Sequence, residues 1–201
     1  GFYQFLDIDP GSYYIKFILP SGYIFTLRDQ GQDDTIDSDV DPISGETICT
    51  ELVSGENDIT WDAGLFQEAS IGNYVWEDID GDGIQDPEEL GVDDVTVELY
   101  TCDDTYIDST ITSGGGYYEF SDIDPGSYYL KFIAPPNFYI TLQDQGTDDT
   151  IDSDADPTTG KTICMDLEPG EDDNTVAAGM YQKASIGDYV WDDSDGDGIQ
   201  D

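Results

Sequence analysis

Twelve consecutive residues, 78–89, carry oxygen ligands at the spacing of a calcium-binding loop. We call this segment the DxDxDG loop. Gly83 occupies the sixth position, where such a loop must turn sharply, and Glu89 at the twelfth could close the ligand sphere with both carboxylate oxygens. Asp and Gly are also common in solvated acidic turns, but the complete ligand register favours calcium. The predicted ligands are Asp78, Asp80, Asp82, the Ile84 carbonyl, Asp86 and Glu89.

Two other regions repeat or extend this acidic chemistry. The DxDxDG motif restarts at residues 193–201, and a different segment, residues 144–156, alternates aspartates between Gly and Pro residues and recurs at residues 29–41. We call residues 144–156 the acidic loop. Its oxygens could gather around further calcium ions, with a solvated loop as the alternative. The predicted ligands are Asp193, Asp195, Asp197, the Ile199 carbonyl and Asp201, then Asp148, Asp149, Asp152, Asp154 and Asp156, and their equivalents Asp33, Asp34, Asp37, Asp39 and Asp41.

The chain repeats itself with a period of one small domain. Asp86 and Asp201 end the same phrase, which sets the period at 201 − 86 = 115 residues, and residues 1–86 match residues 116–201 without a gap at 56 of 86 positions. We therefore expect the later part of a first repeat (1–68), a complete repeat (69–183) and the start of a third (184–201). Such a window favours a piece of a longer array over strand exchange between copies.

Composition excludes several classes of function. The formal net charge is −42, from 47 acids against 5 bases, which excludes a nucleic-acid reader and disfavours contact with anionic membranes. The chain has no histidine, so it has no Ser-His-Asp or Cys-His centre and lacks a usual zinc ligand. Paired carboxylates could serve glycoside hydrolysis, but nothing singles out two of the 47 acids, and metal ligation is the simpler role. We predict no enzyme activity and calcium as the bound ion.

The repeat period explains the odd number of cysteines, because it assigns two cysteine positions to each complete repeat. Cys49 and Cys164 are equivalent, and Cys102 lies in the part of the repeat that residues 1–68 do not include. An even number per repeat indicates an oxidising, extracellular setting. If Ile163, Met165 and Leu167 face the core, Cys164 points to the outer side. Cys102 has the same outward parity relative to Val95, Val97 and Leu99, so we predict a Cys102–Cys164 disulfide.

Short strands separated by Gly and Pro turns predict an all-β sandwich. Tyr128 should point inward and Tyr129 outward, and Trp76 and Trp191 should plug the core. Residues 86–90 are the one candidate for a helical turn. The predicted strands are residues 2–5, 13–18, 47–52 and 60–66 in the first repeat, and 69–76, 95–99, 106–112, 117–120, 128–133, 139–142, 162–167 and 175–181 in the complete one.

Several phrases together carry a family resemblance that covers nearly the whole chain. Residues 70–76 followed by the DxDxDG loop, residues 124–130, and residues 144–154 resemble the B repeats of serine-aspartate repeat surface proteins. The resemblance implies tandem prealbumin-like or Ig-like β-sandwich repeats with an EF-hand-like calcium loop, which serve as a stalk on the cell surface. Related collagen-adhesin B domains carry an isopeptide bond from a lysine on the first strand. Residues 71–76 contain no lysine, so that bond is not expected here.

We therefore predict a structural, calcium-stabilised repeat of an extracellular filament or cell-surface stalk. Only Gln182 and Lys183 separate the last strand of one repeat from the first strand of the next, and so short a linker should make the repeats stack as a stiff rod. The expected partners are neighbouring repeats and copies associated side by side or end to end, with no nucleic acid and no membrane contact. The alternative is an adhesin module that binds a host protein or a glycan. Near-identical repetition favours spacing, because a recognition site need occur only once.

Overall fold

The computed structural model describes residues 1–31, 33 and 35–200, and these residues form thirteen β-strands and no helix. The predicted all-β class is therefore confirmed. The strands are β1 (Gly11–Tyr13), β2 (Ile24–Phe25), β3 (Thr50–Leu52), β4 (Leu65–Phe66), β5 (Ala69–Glu77), β6 (Thr96–Thr101), β7 (Tyr106–Ile111), β8 (Tyr117–Ile123), β9 (Gly126–Ile133), β10 (Phe138–Ile140), β11 (Met165–Leu167), β12 (Asp172–Asp173) and β13 (Ala178–Gln182).

Strands β5 to β13 form a β-sandwich. One sheet has the order β10-β13-β5-β12 with β8 also paired to β5, and the other has the order β11-β9-β6-β7. Alternate residues of β6 and β9 point into the space between the sheets, as predicted, because side chains along a strand alternate between its two faces. The buried positions are Val97 and Leu99 on β6, with Val95 just before it, and Tyr128, Leu130 and Phe132 on β9.

Strand β5 organises its sheet. It pairs antiparallel with β8 along residues Ala69–Tyr74 and parallel with β13 along Val75–Glu77. Gly72 permits the close approach of β8, since a Cβ atom there would lie 2.5 Å from the Tyr118 carbonyl oxygen. Trp76, near the end of the strand, is fully buried as predicted. The strand thus delivers the DxDxDG loop, which begins at Asp78, directly from the core.

The predicted disulfide is confirmed. Cys102 and Cys164 are bonded, with their Cα atoms 5.9 Å apart, and the bond joins the end of β6 to the segment before β11. Both residues are exposed on the outer side of the sandwich. Cys49 is an exposed free thiol.

Three sequence predictions about individual positions are wrong. Ile163 is exposed rather than in the core, because β11 starts only at Met165 and the chain before it does not keep the strand alternation. Residues 87–88 form a turn, not a helical turn. Trp191 is exposed, because residues 183–200 form no strand and pack on no core. Tyr129 points outward, as predicted, and is nevertheless only 6% exposed.

The burial of Tyr129 has a clear cause. Its ring stacks on Tyr100 at a centroid distance of 5.2 Å, and the Lys161 ammonium lies 4.4 Å above it. Its hydroxyl donates to Asp104 at 2.7 Å. Cross-strand aromatic and charged neighbours therefore cover an outward side chain that strand alternation alone would leave in water.

Residues 1–68 are much less regular than the complete sandwich. Their described residues form two two-stranded sheets, β1-β3 and β2-β4. The strand predicted at residues 2–5 is absent, and the other predicted strands are reduced to two or three residues. Their counterparts in the complete sandwich pair largely with β5 and β6, for which residues 1–68 hold no equivalent. Strand formation here is limited by missing partners and not by local sequence.

Candidate metal centre

The first ligand position of the DxDxDG loop, Asp78, is almost fully buried. Its Oδ1 accepts the Gly81 N–H at 2.7 Å, its Oδ2 accepts the Gly83 N–H at 3.0 Å, and the Thr141 hydroxyl donates to Oδ2. Gly81 and Gly83 both have positive φ, at 77° and 84°, a region that glycine enters without a steric penalty. The loop therefore curls around the Asp78 carboxylate before any ion is considered.

Three carboxylates of this loop converge. Ligand oxygens of Asp78, Asp80 and Asp82 all lie within 4.8 Å of one another. Asp82 accepts the Ile84 N–H at 2.9 Å and Asp80 accepts the Asp82 N–H at 3.3 Å. Asp80 and Asp82 are thus each held by the amide two residues later, and Asp78 by the amides three and five residues later, so the three carboxylates remain on the inner side of the turn.

Glu89 closes the loop through backbone amides. Its Oε1 accepts the Ile79 N–H at 2.6 Å and its Oε2 accepts the Asp86 N–H at 3.0 Å. Burial raises the pKa of Glu89 above its usual value despite these amides, and the charges of Asp78 and Asp80 add to the rise. Glu89 and Asp86 do not belong to the group of three converging carboxylates.

The acidic loop forms a second group from Asp149, Asp152 and Asp154, whose ligand oxygens also lie within 4.8 Å of one another. Asp152 is only 6% exposed, and its buried Oδ1 has no hydrogen-bond partner among the described residues. Asp154 accepts the Ala177 N–H at 2.6 Å. Burial raises the pKa of Asp154 to about 7 against that hydrogen bond, helped by the charge of Asp149. The pKa of Asp152 is also raised, first by burial and then by the same neighbour.

The structure does not bring the other two predicted ligands of the acidic loop into this group. Asp148 accepts the Thr150 N–H and hydroxyl, and Asp156 accepts the N–H groups of Thr158 and Thr159. The pKa of Asp148 is lowered mainly by the Thr150 hydroxyl and that of Asp156 by the Thr159 amide. Both side chains stabilise turns, which is a common use of Asp.

The first repeat shows the same division of roles. Asp33 accepts from Thr35 and Asp41 from Ser44, as turn residues. Asp37 has a buried Oδ1 without a hydrogen-bond partner among the described residues, and Asp39 accepts the Asp62 N–H at 2.5 Å. Asp34, like Asp201 of the third repeat, lies outside the described residues.

The second copy of the DxDxDG motif, in the third repeat, has the same local geometry. Ligand oxygens of Asp193, Asp195 and Asp197 lie within 4.8 Å of one another. Asp193 accepts the N–H groups of Gly196 and Gly198, each at 2.8 Å, and Asp197 accepts the Ile199 N–H at 2.8 Å. The motif therefore reaches this conformation from its own local hydrogen bonds.

The DxDxDG loop and the acidic loop meet. Ile84 and Asp152 form an antiparallel bridge, in which the Gln85 N–H donates to the Ile151 carbonyl at 2.7 Å and the Ser153 N–H donates to the Gly83 carbonyl at 3.2 Å. Neither bond uses the Ile84 carbonyl, the predicted seventh-position ligand. The sequence does not predict this contact, because no local pattern links two loops that lie 152 − 84 = 68 residues apart.

The donor set fits a hard cation. All members of both groups are carboxylates, the ligands that Ca²⁺ and Mg²⁺ prefer. None of the four ion pairs in the described part of the chain includes an acid of either loop. The orphaned Asp152 Oδ1 is a buried acceptor of the kind that a metal would satisfy.

A family model and similar curated proteins indicate the same family for this chain. The SdrD B-like domain model matches residues 1–65 and 69–180. The serine-aspartate repeat-containing protein F of Staphylococcus epidermidis is 37% identical over 204 residues, which cover 100% of this chain and 11% of that protein. The serine-aspartate repeat-containing protein D of Staphylococcus aureus strain Newman is 35% identical, covering 100% of this chain and 15% of that protein. The chain thus spans about a seventh or less of these curated relatives.

Among solved structures, GBS52, the minor pilin of Streptococcus agalactiae, covers 91% of this chain and 87% of its own, with 11% identity and a TM-score of 0.41. A likeness this low carries no argument about this chain. The described residues contain no apolar helix long enough to span a membrane.

Proposed function

Because this chain belongs to the SdrD B-like domain family, we propose that it is a structural repeat of an extracellular filament or cell-surface stalk, rigidified by bound calcium. Its similarity to staphylococcal serine-aspartate repeat-containing proteins supports a place on the cell surface. The disulfide supports an oxidising compartment, since such bonds are rare in the cytosol. The role is mechanical and involves no catalysis.

The observation that carries the calcium part of the proposal is the orphaned, buried Asp152 Oδ1 within a group of three carboxylates. Burying an ionised carboxylate without a partner is costly, so such groups are normally paired, hydrogen-bonded or bound to a metal. No basic side chain forms an ion pair with this group among the described residues. A divalent cation is the simplest way to supply the missing positive charge.

Two sets of residues would hold the ions. In the DxDxDG loop these are Asp78, Asp80 and Asp82, and in the acidic loop they are Asp149, Asp152 and Asp154. Bound calcium would supply positive charge and oxygen coordination at each set. The protein's own part is to bring the sets together, through the Ile84–Asp152 bridge and through the Thr141 hydroxyl that holds Asp78.

This arrangement explains how an ion would stiffen a stalk. The DxDxDG loop extends β5, and the acidic loop follows β10 of the same sheet, so neutralising both loops would hold these two strands together where the loops meet. Gln67 connects the first repeat to the sandwich, and its carbonyl accepts the Gly170 N–H at 3.1 Å. The short linker at Gln67 is thus hydrogen-bonded to the repeat that it enters. Such a contact would limit the movement of one repeat relative to the next.

Calorimetric titration with calcium tests the proposal on a matched pair of variants. Asp152→Asn removes a charge from the group of three, and we expect it to weaken calcium binding at least tenfold or to abolish one site. Asp148→Asn lies in the same loop but keeps the turn, because Asn forms the same turn hydrogen bonds. It should bind calcium like the parent chain. Equal binding by both variants, or no binding by the parent, would contradict the proposal.

A further inference from the structure

The disulfide connects two segments that flank one strand of the sandwich. Cys102 directly follows the last residue of β6, and Cys164 directly precedes the first residue of β11. Strand β9 lies between β6 and β11 and pairs with both, and Thr101 and Met165 have the same partner, Tyr128, in the register of the sheet. The bond therefore joins the two neighbours of β9 to each other.

Noncovalent contacts hold the same two segments in the folded sandwich. The Lys161 ammonium donates to Asp104 and to the Tyr129 hydroxyl, each at 3.0 Å, and that hydroxyl donates to Asp104 at 2.7 Å. The Cys102 N–H donates to the Ser127 carbonyl of β9 at 3.1 Å. Both segments thus have partners that do not depend on the bond, and the bond adds most to the chain once these contacts have broken.

Tension along a stalk enters the complete repeat at its first strand and leaves it at its last. Strand β5 begins at Ala69 and β13 ends at Gln182, and the two strands pair in parallel, with Val75 opposite Ala178. Pulling Ala69 and Gln182 apart loads this pairing. When it opens, the chain straightens from both ends until the tension reaches the disulfide.

The disulfide divides the repeat into a part that carries tension and a part that does not. Residues 69–102 and 164–182 lie outside the loop that the bond closes, and they include the DxDxDG loop. Residues 103–163 lie inside it, and they include β7 to β10 and the acidic loop. Because tension passes through the bond from Cys102 to Cys164, it pulls the DxDxDG loop straight and does not reach the acidic loop.

We propose that the Cys102–Cys164 bond is a mechanical stop, which limits how far a stretched repeat can lengthen. The inference rests on the proposed stalk role, since only a chain under tension uses a stop, but it does not involve calcium. From Ala69 to Gln182 the chain has 182 − 69 = 113 residue steps, and the bond removes 62 of them, which leaves 113 − 62 = 51. At about 3.5 Å per extended residue, the stretched repeat then spans about 180 Å instead of about 400 Å.

Stretching single molecules by their two ends measures the stop directly. The parent chain is compared with Cys102→Ser combined with Cys164→Ser. Cys49→Ser is the matched control, because it alters an exposed thiol that is not part of the bond. When the complete repeat unfolds, the parent and the control should gain about 220 Å less contour length than the double variant, which is the length of the 62 bypassed residues. Equal gains in the three proteins would overturn the proposal.

A second measurement uses the parent chain alone and does not depend on how well the double variant folds. The parent is unfolded under constant tension, and dithiothreitol is then added. A thiolate of the reagent attacks one sulfur of the bond and the other sulfur leaves as a thiolate. The second reagent thiol then resolves the mixed disulfide, so that the reagent is oxidised to a cyclic disulfide and both cysteines end as thiols.

Loss of the bond should lengthen the unfolded parent by a further 220 Å or so, about 62 extended residues, in one step. The double variant, stretched in the same reagent, should show no such step. Because the step depends only on covalent connectivity, it should be equal in calcium and in chelator. A parent that does not lengthen in dithiothreitol would overturn the stop and leave the calcium proposal untouched, whereas a calcium-independent melting temperature would contradict only the latter.

Discussion

At the scale of single residues, the acidic loop combines side chains that stabilise turns with side chains whose negative charge is disfavoured by burial. Asp148 and Asp156 have their pKa values lowered by hydroxyl and amide donors, so their negative charge is favoured in the folded state. Asp152 and Asp154 have theirs raised by burial, so their negative charge is disfavoured. Neighbouring aspartates of one loop thus serve opposite purposes.

The raised pKa of Asp154 predicts a substitution effect whose sign depends on calcium. Its pKa rises from 3.8 in the unfolded chain to about 7 in the metal-free fold, so the folded state binds the proton more tightly and its stability falls as pH rises between these values. At pH 8 in chelator, Asp154→Asn should raise the free energy of unfolding by up to about 4 kcal/mol, at about 1.4 kcal/mol per pKa unit. In calcium-containing buffer, Asp154→Asn should instead lower the free energy of unfolding, because it removes a ligand of the bound ion.

Urea unfolding at pH 8 with and without calcium measures both effects. Asp148→Asn is the control and should change the free energy of unfolding little in either buffer. A destabilising effect of Asp154→Asn in both buffers would show that the carboxylate serves the fold without an ion.

The disulfide gives a second prediction at this scale. It closes a loop of 62 residues, so Cys102→Ser combined with Cys164→Ser should lower the free energy of unfolding by about 4 kcal/mol in the chain-entropy account. Cys49→Ser, which alters an exposed free thiol, should leave it unchanged. Chemical denaturation of the three proteins in calcium makes the comparison, and equal stability of all three would contradict the prediction.

At the scale of elements, β5 is the strand on which the sheet and the DxDxDG loop both depend. Gly72 and Gly187 occupy the same repeat position in different surroundings: a Cβ atom at Gly72 meets the Tyr118 carbonyl oxygen at 2.5 Å, and one at Gly187 meets nothing within 4 Å. Substitutions at these two glycines therefore separate the cost of packing a side chain between two strands from the backbone preference for glycine at this repeat position.

Gly72→Ala should lower the melting temperature of the sandwich of residues 69–182, because β8 must move away from β5 to admit the methyl group. A loss of about 1–3 kcal/mol, usual for overpacking, corresponds to several degrees in a domain of this size. Gly187→Ala should leave that melting transition in place. Calorimetry of the two variants measures both melting temperatures. Equal shifts in melting temperature would show that Gly72 is needed for its backbone flexibility and not for close packing against β8.

Strand periodicity predicted the elements well where both partners exist in the chain. Alternation identified Val95, Val97 and Leu99, and then Tyr128, Leu130 and Phe132, because burial on one face of a strand imposes a period of two. It did not predict the cover over Tyr129, which depends on side chains from other strands, and it could not show that the DxDxDG loop meets the acidic loop. Such contacts depend on the tertiary fold, which a local sequence pattern does not predict.

At the scale of the whole molecule, the charge of −42 opposes a compact repeat. Self-repulsion of this size destabilises a compact state unless counterions or bound cations reduce it. The structure concentrates acids into two loops that meet at one place, with their converging oxygens within 4.8 Å of one another in each group. The account of this protein as a calcium-rigidified stalk depends on cations binding there.

The most direct test is the melting temperature of the chain as a function of free calcium. Binding to the folded state alone stabilises it by about 2.7 kcal/mol at one hundred times the dissociation constant, so the melting temperature should climb steadily with calcium and fall sharply in excess chelator. Magnesium at the same ionic strength controls for screening and should act more weakly, since it tolerates such crowded carboxylate sets poorly. A melting curve that is the same in calcium and in excess chelator would contradict the account.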